Sequence, residues 1–360
     1  MATERITAEG DHLGYRDRTD STGAFQSEIT DSSGGITRYA SSADGLAARK
    51  ELSCGLTLEL RNGPDPWYRF TVPERSVETT PSGLQRVTDH ETVYQDDDGD
   101  GVPDRITTNR TVDGRMASVM TDLSTAQRIV TSPAGRMATT GYDPASWLPS
   151  IVSVPGLHNS LFSYDPRGRP TSIRTGTRET VFGYDASGNL ASVTDPEGRT
   201  TTYDHDPAGR VTAIVRPDGS AIRFTYDANG NTTVITTPAG VDHGFAYNQV
   251  NLNSAYQAPL SGTTAYRYDR DRRLREIRYP SGKAVEILYD RGRPASMVTP
   301  DGVVSYQYLC ADRIGSVAAA GERVSYGYDG TLPISETFSG TLDQELAIAY
   351  NADFLPSRLT

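Results

Sequence analysis

Five carboxylates fall within the run Asp96-Asp97-Asp98-Gly99-Asp100-Gly101-Val102-Pro103-Asp104. Asp96, Asp98, Asp100 and Asp104 occupy relative positions 1, 3, 5 and 9, with glycine at position 6. This spacing sets oxygens around one centre while glycine allows the sharp bend, and a hard cation such as calcium takes an oxygen cage of that kind. Val102 would add its backbone carbonyl. Position 12, where a full calcium-binding helix–loop–helix hand supplies a bidentate glutamate, is Thr107, so the cage is incomplete in that scheme. The plainer alternative is a solvated acidic turn after Thr92-Val93-Tyr94. Packed like charges repel unless something offsets them, which favours calcium.

Other chemistry is not encoded. The chain has no Gly-x-Ser-x-Gly elbow, no His-Glu-x-x-His, no phosphate-binding glycine loop and no Cys-x-x-Cys pair. Its five histidines are scattered. Carboxylates are frequent at turns, where backbone hydrogen bonding explains them better than a glycosidase pair does. A non-enzymatic protein is therefore expected. The net charge of −11 and the absence of a long basic run speak against a nucleic-acid partner. No stretch has the apolar length to span a membrane, and no apolar segment of a secretory signal follows Met1. Cys54 and Cys310 make neither a disulfide framework nor a metal cluster, and the expectation is that they stay unbridged.

Any such site must be held by the elements around it, and from Leu161 to Gly302 those elements repeat. Tyr164, Tyr184, His205, Tyr226, Tyr247, Tyr268 and Tyr289 follow one another at intervals of about 21 residues. Most have a second ring two residues earlier, as in Phe162-Ser163-Tyr164, which puts both on one face of a strand. Asp165-Pro166-Arg167-Gly168 then has the residue preferences of a type I turn. Asp185 to Gly188 and Asp227 to Gly230 keep all but the proline, and Tyr268-Asp269 and Tyr289-Asp290 keep the tyrosine and aspartate. A second strand of alternating character follows, as in Val211 to Val215, and closes on a second turn such as Pro217-Asp218-Gly219.

One unit is thus strand, turn, strand, turn. A lone hairpin is marginal in water, so the units must lie edge to edge, with equivalent rings stacked in rows. The fold class expected is all-β: antiparallel hairpins of about 21 residues in one sheet that twists and coils into a spiral. A hydrophobic content of 36% is low for a compact core but suits a one-layer wall. Alternating arginines and acids read as cross-strand ion pairs on a solvated face.

Residues 1–104 read as an irregular β region that ends in the acidic loop at 96–104, and residues 105–360 as the repeat segment, regular from about 140. In the first region, short strands alternate with turns such as Asp31-Ser32-Ser33-Gly34, and Leu56 to Leu60 and Trp67 to Val72 form a hairpin. At Leu309-Cys310 the usual turn is replaced, which predicts a longer loop through Ala311-Asp312-Arg313. The last residues, Tyr350 to Thr360, stop where a second strand should begin, so the chain reads as a fragment of a longer protein.

Tyr164-Asp165-Pro166-Arg167-Gly168-Arg169 and Tyr184-Asp185-Ala186-Ser187-Gly188-Asn189 resemble the signature of the YD-repeat, or Rhs, family. That family includes bacterial polymorphic toxins, the shell-forming component of insecticidal toxin complexes, and the animal teneurins. The resemblance spans roughly residues 140 to 351 and implies strands spiralling into a hollow β-shell. In toxin members the shell encloses a C-terminal effector; in teneurins it forms part of a cell-surface adhesion protein. It therefore implies a secreted or surface location, a partner in the remainder of the same polypeptide, and, as the alternative, an adhesion or carbohydrate-binding module that contacts glycans or a cell-surface partner. The acidic run resembles the calcium loops of thrombospondin type 3 repeats.

Overall fold

The structure is a computed structural model and describes residues 2–31, 34–310 and 313–360. Among the described residues thirty-three strands, β1 to β33, form one sheet, and every pairing joins strands consecutive in sequence, always antiparallel. The expected all-β meander is what the chain folds into, with no α-helix among the described residues. Residues 1–104, read as irregular, contribute β1 (Ala2–Ile6) through β8 (Gln85–Gln95) to that sheet, with turns of unequal length.

Period-2 alternation gives the sheet two unlike faces. One carries the cross-strand pairs Phe162–Ile173, Phe182–Val193, Tyr203–Ile214, Phe224–Ile235 and Tyr266–Ile277. The other carries small residues in register, such as Gly183–Ser192–Thr202 and Ala246–Ala255–Ala265. A Cβ on Gly183 would come 2.4 Å from Ser192 Oγ. Such unequal bulk on the two faces gives a one-layer sheet a reason to curve.

Among the described residues no second layer covers either face. The only buried hydrophobics among the described residues are Ala126, Ala213 and Val285. The surface area is 21825 Å² for 39.0 kDa, whereas a compact chain of that mass exposes about 14,000 Å². Stability therefore comes from neighbouring strands and from turn chemistry, not from a central core.

The sheet coils until its late turns meet its early ones. The turn between β1 and β2 (His12–Thr19) meets the turn between β24 (Gly262–Tyr268) and β25 (Leu274–Arg278). There Ala8 N donates to Asp271 Oδ1 (2.7 Å), Arg270 N to Glu9 Oε1 (2.9 Å) and Arg273 Nη1 to Asp11 Oδ2 (2.8 Å). The turn between β7 (Thr71–Thr79) and β8 meets that between β30 (Glu322–Asp329) and β31 (Leu332–Ser339), where Ser82 N and Oγ donate to Asp329 at 2.9 and 2.6 Å. Arg115, which opens β10 (Arg115–Asp122) just past the turn from β9 (Arg105–Val112), pairs with Asp353 between β32 (Gln344–Tyr350) and β33 (Pro356–Leu359). From β1 to β24, β7 to β30 and β9 to β32 the offset is always 23 strands. An odd offset sets one edge of the sheet on the opposite edge, so the coil rises by one strand length per turn.

Four expectations are corrected. Cys54 and Cys310 form a disulfide, with Cα atoms 5.1 Å apart, because the coil brings the turn between β5 (Ala47–Glu51) and β6 (Thr57–Pro64) onto that between β28 (Gly302–Tyr308) and β29 (Ile314–Ala319). Trp67 to Phe70 lie in a turn, not a strand: Asp65 N donates to Phe70 O (2.7 Å) and Arg69 N to Asp65 O (3.1 Å), so the strand begins at Thr71. The turn at Leu309 is no longer than the others. Leu309 N donates to Arg313 O (2.7 Å), the closure that Asp165 N makes with Arg169 O; Ala311 and Asp312 lie outside the described residues, as do Ser32 and Ser33 of the early turn. Finally, Tyr350 is followed by a paired strand, with Ile348 opposite Leu359.

Candidate functional site

The Tyr-Asp turns build the same node again and again. Gly168 N donates to Asp165 O (2.9 Å) and Asp165 N to Arg169 O (2.9 Å), with Gly168 at φ +78° in the left-handed region. This is a type I turn followed by a left-handed residue, a standard hairpin closure. The Asp165 carboxylate braces it from within: Oδ1 accepts from Arg167 N (2.9 Å) and Arg169 N (3.0 Å), and Oδ2 from Arg169 Nε (2.8 Å). Asp185 and Asp227 do the same with asparagine in place of arginine, accepting from Asn189 Nδ2 (3.0 Å) and Asn231 Nδ2 (2.9 Å), while Gly188 and Gly230 supply the left-handed residue.

The node also joins each unit to the next. Arg169 Nη1 donates to Gly188 O (2.9 Å), and its guanidinium lies 4.1 Å from the ring centre of Tyr184. Tyr184 Oη donates back to Pro170 O (2.8 Å). The ladder between β14 (Ser160–Tyr164) and β15 (Pro170–Thr175) shifts register between Ser163 and Tyr164, and the carbonyl at that bulge is the one the next tyrosine takes. Tyr226 Oη to Val211 O (2.6 Å), Tyr247 to Thr232 O (3.0 Å), Tyr268 to Asn253 O (2.8 Å) and Tyr289 to Leu274 O (2.9 Å) repeat the bond at the same bulge. Tyr184, Tyr226 and Tyr289 are thus each linked to the preceding unit through an arginine and a backbone carbonyl, while Tyr247 and Tyr268, preceded by Asn231 and Leu252, keep the carbonyl bond alone. Arg210 lies 4.7 Å from the Tyr226 ring centre and Arg273 4.6 Å from that of Tyr289.

The repeat varies at several turns; in the one that Asn248 opens, Asn251 holds the left-handed position at φ +60°. Asp269 closes on Arg273, whose N and Nε donate at 2.9 and 2.7 Å, but Arg272 takes the left-handed position with φ +63° where glycine stood before. Asp290 does not open such a turn. It pairs with Arg293 across a two-residue hairpin, Arg291-Gly292, in which both φ values are positive.

Replacing Arg169 by alanine removes the fork that holds Asp165, the bond to Gly188 O and the cover over Tyr184. The expected loss is about 2 kcal/mol. That corresponds to a fall of roughly 3 °C in melting temperature, and Arg169→Lys should recover only part of it, because lysine lacks the planar fork. Thermal melts followed by circular dichroism check this; equal melting of alanine variant and wild type would remove the linking role.

The turn aspartates are held below the usual carboxylate range. At Asp206 the side-chain and backbone hydrogen bonds from Arg210 are the main cause, and at Asp185 and Asp227 the amides of Asn189 and Asn231. At Asp165 burial pushes upward, but the bonds from Arg169 outweigh it. At Asp65, the most buried large side chain, burial again pushes upward and is outweighed by Tyr94 Oη (2.6 Å), Tyr68 N (2.7 Å) and Trp67 N (2.9 Å). Burial and the bond to Asp65 push the Tyr94 hydroxyl up to about 12. This anchor holds Tyr68 and Phe70 in solvent, their rings stacked at 6.2 Å and both more than half exposed. Sequence reasoning missed the anchor. The signal was present in Asp65-Pro66, a turn opening ahead of the aromatic run.

One turn further along the same edge lies the acidic loop. Carboxylate oxygens of Asp96, Asp98 and Asp104 lie within 4.8 Å of one another. Asp100 does not join them; its carboxylate accepts from Val102 N (2.7 Å). Asp96 also accepts from Gly99 N (2.7 Å) and Gly101 N (3.0 Å), and Asp97, outside the cluster, is paired with Arg105. Three convergent carboxylates present oxygens of the kind a hard cation takes, and Arg105 beside them is paired with Asp97.

A family model described as Teneurin YD-shell matches residues 109–355. Among solved structures, the crystal structure of TcdB2-TccC3 without its hypervariable C-terminal region aligns with a TM-score of 0.43 and 14% identity, over 97% of this chain and 26% of that one. The Photorhabdus luminescens Tc holotoxin pore with a mutant TccC3 aligns with a TM-score of 0.42 and 12% identity, over the same shares. The chain spans about a quarter of the length of those chains. No curated protein matches.

Proposed function

This chain belongs to the Teneurin YD-shell family, and on that premise we propose that it is a structural shell segment whose wall encloses a C-terminal effector on the same polypeptide, without enzymatic activity of its own. The observation that carries the reading is the one-layer sheet, with 21825 Å² of surface and three buried hydrophobics among the described residues. A wall needs no core, and its work is to keep a guest from proteases and from the producing cell. The disulfide suits an oxidising compartment, in keeping with secretion or the cell surface. The test is limited proteolysis of the whole polypeptide in which this segment occurs. The region after residue 360 should survive while the wall is intact and be cut once the wall is melted; cleavage at equal rates in both states would overturn enclosure.

The alternative, a cell-surface adhesion or carbohydrate-binding module, has the exposed, stacked Tyr68 and Phe70 in its favour, since flat aromatic faces pack on sugars. A glycan array on the segment separates the two: a signal lost in Tyr68→Ala with Phe70→Ala supports adhesion, and silence removes it.

We further propose that the loop at 96–104 takes calcium through Asp96, Asp98 and Asp104. Calcium at about a hundredfold excess over its Kd should stabilise the fold by about 2.7 kcal/mol, read as a rise in melting temperature. Asp98→Ala with Asp104→Ala should abolish that rise. Calorimetric titration with no heat at millimolar calcium would dispose of the site.

A further inference from the structure

We propose that Cys54–Cys310 is a thiol-exchange site at which a dithiol reductant releases one turn of the coil from the next. The bond joins residues 256 apart in sequence. Every ladder among the described residues joins consecutive strands, so no strand pairing crosses from the early winding to the late one. What crosses is turn-to-turn contact: Asp11 with Arg273, Ser82 with Asp329, Arg115 with Asp353, and the Arg86 guanidinium 4.9 Å from the Phe354 ring centre. Where these contacts are exposed, as at Ser82–Asp329, they are individually weak and yield to salt and water; the Asp11–Arg273 pair is the more sheltered of them. The disulfide is the one covalent link in the seam, and it sits between the contacts at β1–β24 and those at β7–β30.

The bond is within reach of a reagent. Both cysteines are half-buried, and Gly55 and Leu309 beside them are exposed. A thiolate of the reductant attacks one cysteine sulfur, forming a mixed disulfide and freeing the other cysteine as a thiolate that takes up a proton. The second thiol of the reductant then attacks the mixed disulfide. Two protein thiols and the cyclic disulfide of the reductant result, with two electrons and two protons passed to the protein. The weak contacts alone then hold the seam. The opening of the seam follows from the fold by itself; that it would let a guest out on entry into a reducing cell rests on the enclosure reading.

The experiment is hydrogen–deuterium exchange on the full chain, oxidised and after dithiothreitol, with the thiol state read by mass spectrometry. Protection at seam turns 7–11, 80–84, 269–273 and 351–355 should fall by roughly tenfold on reduction, while the ladders from 160 to 236 stay unchanged. Cys54→Ser with Cys310→Ser should show the reduced pattern without reductant. If the variant does not fold, reduced wild type still carries the comparison. Unchanged seam exchange in protein shown to be reduced would overturn the proposal, as would free thiols at both positions in protein kept oxidised. Neither result touches enclosure, which is read separately by guest proteolysis in the oxidised state.

Discussion

Replacing Asp65 by alanine is expected to lower the melting temperature more than removing any other turn aspartate, by roughly 5 to 10 °C. Asp65 is 1% exposed and accepts three hydrogen bonds, from Tyr94 Oη, Trp67 N and Tyr68 N. Alanine would leave those three donors in a space with little water, and donors stranded in that way cost more than the bonds themselves contributed. Asp218, in an exposed turn where it accepts from Ser220 N (2.9 Å), is the contrast, because water can replace it there. Asp218→Ala should melt close to wild type. A second reading follows the Tyr94 hydroxyl, which should titrate near 12 in the wild type and return toward about 10 once Asp65 is gone. Equal melting of the Asp65 and Asp218 variants would mean that the anchor contributes nothing special.

Acid should loosen the whole wall within one narrow window. Asp20, Asp44, Asp65, Asp122, Asp143, Asp165, Asp185, Asp195, Asp206, Asp218 and Asp227 are all held below the ordinary carboxylate range by the turns they brace. A carboxyl depressed in the fold favours the folded state in full above its unfolded value, about 3.9, and that contribution is lost as pH falls through the folded values. Because each shift has the same sign, the losses add. The melting temperature should be flat to about pH 5 and fall steeply below about pH 4. The net charge of −11 acts the other way, since protonating surface acids relieves self-repulsion, so the steep fall below about pH 4 reads the turn bonds against that relief. Melting curves from pH 7 to pH 2.5 decide it, and a protein equally stable at pH 3 and pH 7 would show that the turn bonds do not depend on ionised aspartate.

The fold could be read from the chain because its information is local and repeated. Tyr164-Asp165 through Tyr289 names strand, turn and interval over and over, and antiparallel neighbours need nothing else. The turn at Trp67 was harder, since aromatic and branched residues speak for a strand and only Asp65-Pro66 speaks for the bend. The disulfide could not be read at all. A pair of cysteines 256 residues apart carries no local signal, and their meeting depends on how many strands complete one turn of the coil. The role of arginine was half readable: its alternation with acids suggested ion pairs, but its place over the next tyrosine, whose hydroxyl takes the carbonyl at the bulge beside Tyr164, is set by geometry that no composition reveals. At the acidic loop the spacing proposed four aspartates, and the backbone geometry turns Asp100 toward Val102 N instead.

The constant offset of 23 strands makes the length of this protein a matter of phase. Deleting one unit of two strands between Arg115 and Asp269 would leave every hairpin intact, yet it would slide each late turn past its early counterpart by a whole tooth. Cys54 would then face a different turn, and Ser82 and Arg115 would lose their partners in the same step. A wall assembled from interchangeable bricks is in this respect a vernier, in which bricks can be exchanged one for one but not added or removed singly.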